Sequence, residues 1–101
     1  MNKMVESEKL IERYLFDQVK QRKGLCTKLL TNHLLGLPDR LCLLPKGRLF
    51  FAEIKTTGFK PTKIQVYMHN KIIQLGFKVY IIDTKKNVDE IIKEHEKVIH
   101  D

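Results

Sequence analysis

Apolar positions recur along the chain in blocks that alternate between helical and extended spacing. From about Lys3 to Arg22, the residues Ile11, Tyr14, Leu15 and Val19 fall three and four positions apart on one stripe, which predicts an amphipathic helix stopped by Gly24. Leu25 to Thr31 is a short apolar run bounded by turn signals and predicts a strand that includes Lys28; residues 32–38 then read as a loop. Arg40 to Leu44 and Arg48 to Lys55 are two further strands about the turn signal Pro45-Lys46-Gly47, so they are antiparallel neighbours. The run Leu49-Phe50-Phe51-Ala52 is apolar on both faces, as in a central strand. Thr62-x-x-Gln65 has the form of a capping box opening a second helix. That helix runs to about Leu75, with Ile64, Met68, Ile72 and Leu75 turned inward and Gly76 at its end. Phe77 to Asp83 is a β-branched and aromatic strand, and Val88 to Ile99 is a last amphipathic helix burying Val88, Ile91, Ile92 and Val98. The order is α-β-β-β-α-β-α, an α/β domain with a mixed sheet flanked by helices.

This order gives meaning to two short motifs. Side chains alternate along a strand, so Glu53 and Lys55 share one face while Ala52 and Ile54 share the other. Antiparallel pairing sets the start of the second strand beside the end of the third, which brings Asp39 near Glu53. Two carboxylates suit a divalent ion such as magnesium, which usually takes one or two protein carboxylates and keeps several waters. A neighbouring lysine can orient one of those waters, a plausible centre for phosphodiester hydrolysis. Acid-x-Lys alone is common and is usually a solvated strand end. Glu8 and Glu12 lie one turn apart beside the apolar stripe of the first helix, where they are either surface acids or partners of the same site.

Composition narrows the partners. With 101 residues, 43% hydrophobic and 31% charged, the chain reads as a single globular domain, 1–101. Nineteen Lys and Arg against twelve Asp and Glu give a net charge of +7, which favours an anionic partner, nucleic acid first. A membrane surface is the competitor, but neither a basic amphipathic helix nor a lipidation motif supports it. Cys26 and Cys42 form no C-x-x-C pair and the four histidines are scattered, so a zinc site is not expected. Both cysteines sit in apolar runs and read as buried thiols in a reducing, cytoplasmic setting. No signal peptide or membrane span is expected.

Taken together, Glu12, Gly36-Leu37-Pro38-Asp39-Arg40, Phe51-Ala52-Glu53-Ile54-Lys55, Gln65 and Gly76-Phe77 resemble the VRR-NUC (virus-type replication-repair nuclease) family of the PD-(D/E)XK superfamily. The resemblance runs from about residue 6 to about residue 85. It implies a restriction-endonuclease-like α-β-β-β-α-β core, here followed by a C-terminal helix. It further implies that Asp39, Glu53 and the Ile54 backbone carbonyl are ligands of Mg2+ or Mn2+. Lys55 would then position and polarise the attacking water. Glu12 corresponds best to the first-helix acid, with Glu8 the fallback, and Gln65 would sit near the site in addition to capping its helix. The loop departs from the family, since Asn32-His33-Leu34-Leu35 replaces a glycine- and arginine-rich stretch. His33 is a weaker candidate for phosphate than Lys28, Arg40, Lys60 and Lys63, the expected contacts to the DNA backbone.

The resemblance implies a structure-specific DNA endonuclease with no organic cofactor. Small stand-alone members resemble two-fold dimers that cut four-way (Holliday) junctions, a symmetry matched to the substrate. The alternatives are a flap or nicking nuclease acting on other branched DNA, and a non-catalytic nucleic-acid-binding module. The compact format also hints at a phage or mobile-element origin.

Overall fold

The computed structural model describes residues 4–30 and 33–99, with residues 97–99 described by backbone alone. Lys3, Thr31, Asn32 and the side chain of Val98, which the sequence assigns to elements or loop, lie outside the described residues. The elements are α1 (Glu8–Gln21), β1 (Leu25–Lys28), β2 (Arg40–Leu44), β3 (Arg48–Ile54), α2 (Lys63–Gln74), β4 (Val79–Ile82) and α3 (Lys85–Ile99). Their order is the one the apolar spacing predicts.

Several boundaries differ, for local reasons. The stripe predicts α1 from about Lys3, but Ser7 is its N-cap, extended in backbone and accepting from Leu10 N at 3.2 Å. The segment just before it is drawn into a two-way bridge with Thr57. Glu6 N donates to Thr57 Oγ1 at 2.9 Å, and Thr57 N donates to the Glu6 carbonyl at 3.1 Å. Similarly, α3 begins three residues before Val88, and Asn87 N donates to the Thr84 hydroxyl at 3.0 Å at its start. Between β2 and β3 the turn holds Lys46 and Gly47 at positive φ, 67° and 74°. A left-handed conformation is ordinary for glycine and uncommon for lysine.

The sheet order is β1-β2-β3-β4, with β1–β2 and β2–β3 antiparallel and β3–β4 parallel. Alternation gives it two unlike faces. On one face Cys26, Cys42, Leu44, Phe50, Ala52, Ile54 and Ile82 meet Ile11, Leu15 and Val19 of α1 and Val88, Ile91 and Ile92 of α3. This is the hydrophobic core. Cys26 and Cys42 lie directly opposite each other within it as free thiols, Sγ to Sγ 3.6 Å. The hydrogen bond with Cys26, and then burial, push the Cys42 thiol well above the usual range, whereas the same hydrogen bond lowers that of Cys26.

On the opposite face, the side of Leu41, Leu43, Leu49, Phe51 and Glu53, lies α2. Here the expected inward set is corrected. Ile72 is buried, but Ile64 is 47% and Leu75 75% exposed, and the other buried residue of α2 is His69. The helix turns a polar edge to the sheet and leaves apolar flanks in solvent.

Candidate active site

The site is built by the β2–β3 hairpin. Arg40 pairs with Ala52, so the preceding Asp39 falls across from Glu53. The Asp39 carboxylate is held there by the next peptide, its Oδ2 accepting from Ile54 N at 2.8 Å. Gly36 and the buried Pro38 shape the approach to it. Gly36 has φ +83°, and a Cβ added there would stand 2.5 Å from the Ile64 carbonyl oxygen. The loop carrying Asp39 therefore rests directly on the first turn of α2.

Glu53 is only 1% exposed. Its Oε2 receives Lys55 Nζ at 3.3 Å and Gln65 Nε2 at 3.0 Å. The capping box seen in the sequence is present. Thr62 Oγ1 accepts from Gln65 N, and Gln65 Oε1 accepts from Thr62 N at 2.8 Å. Gln65 therefore caps α2 with its oxygen and donates to Glu53 with its nitrogen. Burial, reinforced by the charge of Asp39 and opposed by Lys55, pushes the Glu53 carboxyl up to about 7. With Asp39 beside it, a charged Glu53 leaves one negative charge more than Lys55 offsets, which a divalent cation would neutralise.

His69 completes this side. It is 4% exposed, with Nε2 lying 3.6 Å from Glu53 Oε1. Burial holds its pKa below the ordinary histidine value, so the ring favours its neutral form, against the opposing pull of Asp39. Sequence reading missed this residue, although a signal was present: it stands four positions after Gln65, on the same helical face.

The first-helix acids lie across an open cleft of about 330 Å3 lined by Glu8, Glu12, Lys28 and Asp39 among others. Glu12 accepts from Arg40 Nε at 3.1 Å, while Glu8 is exposed. Arg40, expected on DNA, is 9% exposed and committed to Glu12. The register explains this, because the cross-strand partner of Arg40 is the core-facing Ala52 and paired residues share a face. Lys28, Lys60 and Lys63 are all exposed, as is His33.

The donor set fits a magnesium-type ion. Among the described residues no group of three or more His, Cys, Asp and Glu side chains is arranged to hold a metal. The two carboxylates Asp39 and Glu53, however, are hard oxygen donors of the number that such an ion usually takes from a protein.

No family model matches the chain. Over 78 residues it is 36% identical to "Putative nuclease p44" of Acyrthosiphon pisum secondary endosymbiont phage 1, an alignment covering 77% of this chain and 84% of that protein. It is also similar to a solved structure described as a VRR_NUC domain, with a TM-score of 0.80 and 28% identity over 87% of this chain and 97% of the other. Among the described residues no helix is long and apolar enough to cross a membrane.

Proposed function

The chain belongs to the VRR-NUC family of nucleases, and from that membership we propose that it is a divalent-metal-dependent DNA endonuclease that cuts four-way junctions as a homodimer. The observation that carries the reading is the buried Glu53 carboxylate, set beside Asp39 and paired with Lys55 at the end of the hairpin. Burying such a cluster is costly unless something completes it, and a pure binding surface has no use for carboxylates facing phosphate.

Asp39, Glu53 and the Ile54 carbonyl would hold Mg2+ or Mn2+. Such an ion supplies charge neutralisation at the phosphate and a water of lowered pKa. Lys55, 3.3 Å from Glu53 Oε2, orients the attacking water and stabilises charge developing on the phosphoryl oxygens. Gln65 keeps the Glu53 carboxylate in place, and Glu12, fixed by Arg40, presents an acid at the cleft. Hydrolysis leaves a 5′-phosphate and a 3′-hydroxyl. The exposed Lys28, which lines the cleft, and the exposed Lys60 and Lys63 would grip the backbone without reading sequence.

The outer face supports assembly of two copies. Ile64, Val66, Tyr67, Ile73, Leu75 and Phe77 are all more than 40% exposed along α2 and its exit, and Leu43 and Ile81 of the sheet are also open. An apolar surface of this kind is a usual mark of an interface. A two-fold pair would present two sites to a junction of matching symmetry.

The test is incubation of the protein with a labelled four-way junction, a flap and a linear duplex, in magnesium, manganese or EDTA. Paired symmetric cuts in the junction, dependent on the cation, are expected. Cutting of the flap alone would keep the chemistry and move the substrate. Binding without cutting in either metal would leave a nucleic-acid-binding module.

A further inference from the structure

The side of α2 that meets the sheet is not its most apolar side. Ile64, Val66, Tyr67 and Ile73 are available on its flanks, yet the helix turns Gln65, His69 and Ile72 inward. A helix serving only to cover a sheet would bury its apolar stripe. Positions i and i+4 here converge instead on a single carboxylate, Gln65 on Glu53 Oε2 and His69 toward Oε1.

The His69 end of this arrangement is unfinished. Glu53 Oε1 and His69 Nε2 are both fully buried, and neither has a hydrogen-bond partner. At 3.6 Å they face each other just beyond hydrogen-bonding distance. Buried polar atoms are nearly always paired, and an exception at a functional site calls for a physical reason. A small rotation of either side chain closes the gap.

We propose that His69 is a positioning residue whose Nε2–H donates to Glu53 Oε1, so that Gln65, Lys55 and His69 together fix the carboxylate in the orientation that receives the cation beside Asp39. The inference rests on the metal-dependent reading of the site. In this arrangement α2 acts as the second layer of the metal site, and its polar edge explains why its apolar stripe is left outside. Outer partners of this kind orient ligands, and their loss typically lowers metal affinity by roughly 10- to 100-fold.

The experiment is calorimetric titration of the full chain with Mn2+, without DNA, for the wild type, Asp39→Asn, His69→Leu and His69→Gln, with thermal melts in EDTA as the folding control. His69→Leu should keep its melt and lose about 10-fold or more in Mn2+ affinity. His69→Gln, which restores a donor, should recover most of it. A His69→Leu protein that binds Mn2+ like the wild type would assign His69 to packing and overturn the proposal, as would His69→Gln falling as far as His69→Leu. If His69→Leu does not fold, His69→Gln is compared with His69→Asn, whose amide is too short to reach. Equal affinity in those two overturns the proposal, and a selective loss in Asn supports it. A wild type that binds no Mn2+, indistinguishable from Asp39→Asn, removes the metal reading and His69 with it. Binding that Asp39→Asn abolishes and His69→Leu leaves untouched removes His69 alone.

Discussion

The two faces of the sheet are built on opposite principles. The face toward α1 and α3 is filled mainly by aliphatic side chains and Phe50, with both cysteines kept as thiols and Arg40 paired with Glu12 at its edge. The face toward α2 holds a buried carboxylate, a lysine, a glutamine and a histidine, with apolar residues left on the outside. Successive residues of one strand serve both: Phe50, Ala52 and Ile54 point into the core, and Glu53 points into the site. Stability therefore comes mainly from one side and chemistry from the other, and substitutions should separate the two.

The sharpest separation is expected at Asp39. Asp39→Asn keeps an acceptor for Ile54 N, so its melt should match the wild type while junction cleavage falls by roughly a thousandfold or more and DNA affinity is largely kept. Full activity in a clean Asp39→Asn preparation would sink the metal assignment. On the core side the opposite is expected. Phe50 is fully buried, its ring 5.4 Å from that of Tyr80 and 5.0 Å from that of His95, and Phe50→Ala should cost about 3–5 kcal/mol in urea unfolding.

Gly36→Ala should fall between these, costing about 1–2 kcal/mol from the left-handed backbone alone, with a further loss from the clash at the Ile64 carbonyl. Because that contact joins the Asp39 loop to α2, cleavage should fall further than stability accounts for. A loss of activity matched to the loss of folded protein would mean the loop is only a connector.

The pH dependence has a definite sign. The unfolded chain releases the Glu53 proton near the ordinary value of 4.5, and the native protein holds it to about 7. Between the two, the native state carries more protons, so metal-free stability from this group falls as pH rises through that window. Glu53→Gln should flatten this slope in EDTA melts while abolishing cleavage. A slope unchanged by the substitution would place the titration elsewhere. The smallest effect is expected on the outer flank. Ile73→Ser should change the protomer's stability by less than about 0.5 kcal/mol but shift sedimentation toward monomer.

The hairpin half of the site was legible in the sequence. A turn signal between two apolar runs sets the register, and the register alone brings Asp39 to Glu53. The same register could have shown that Arg40, across from Ala52, faces inward toward Glu12 and away from solvent. In α2 the capping box marked Gln65, but the buried edge of the helix was not legible, because apolar periodicity identifies the buried side only where burial is apolar. Here the buried edge is set by Glu53, a residue on another element, so Ile64 and Leu75 were expected inside and His69 went unnoticed.

The β3–β4 pairing has a consequence for how the molecule assembles. Strands β2 and β3 are joined by a tight turn and need only local contacts to pair, whereas β4 lies parallel to β3 and must wait for the chain to cross over through α2. Local closures precede distant ones when loop entropy governs the order. The hairpin that sets Asp39 across from Glu53 can therefore form before β4 joins the sheet. A nascent chain would carry the acid pair before the sheet is closed by its fourth strand, so divalent cation present during refolding should speed the first hairpin as well as stabilise the finished fold.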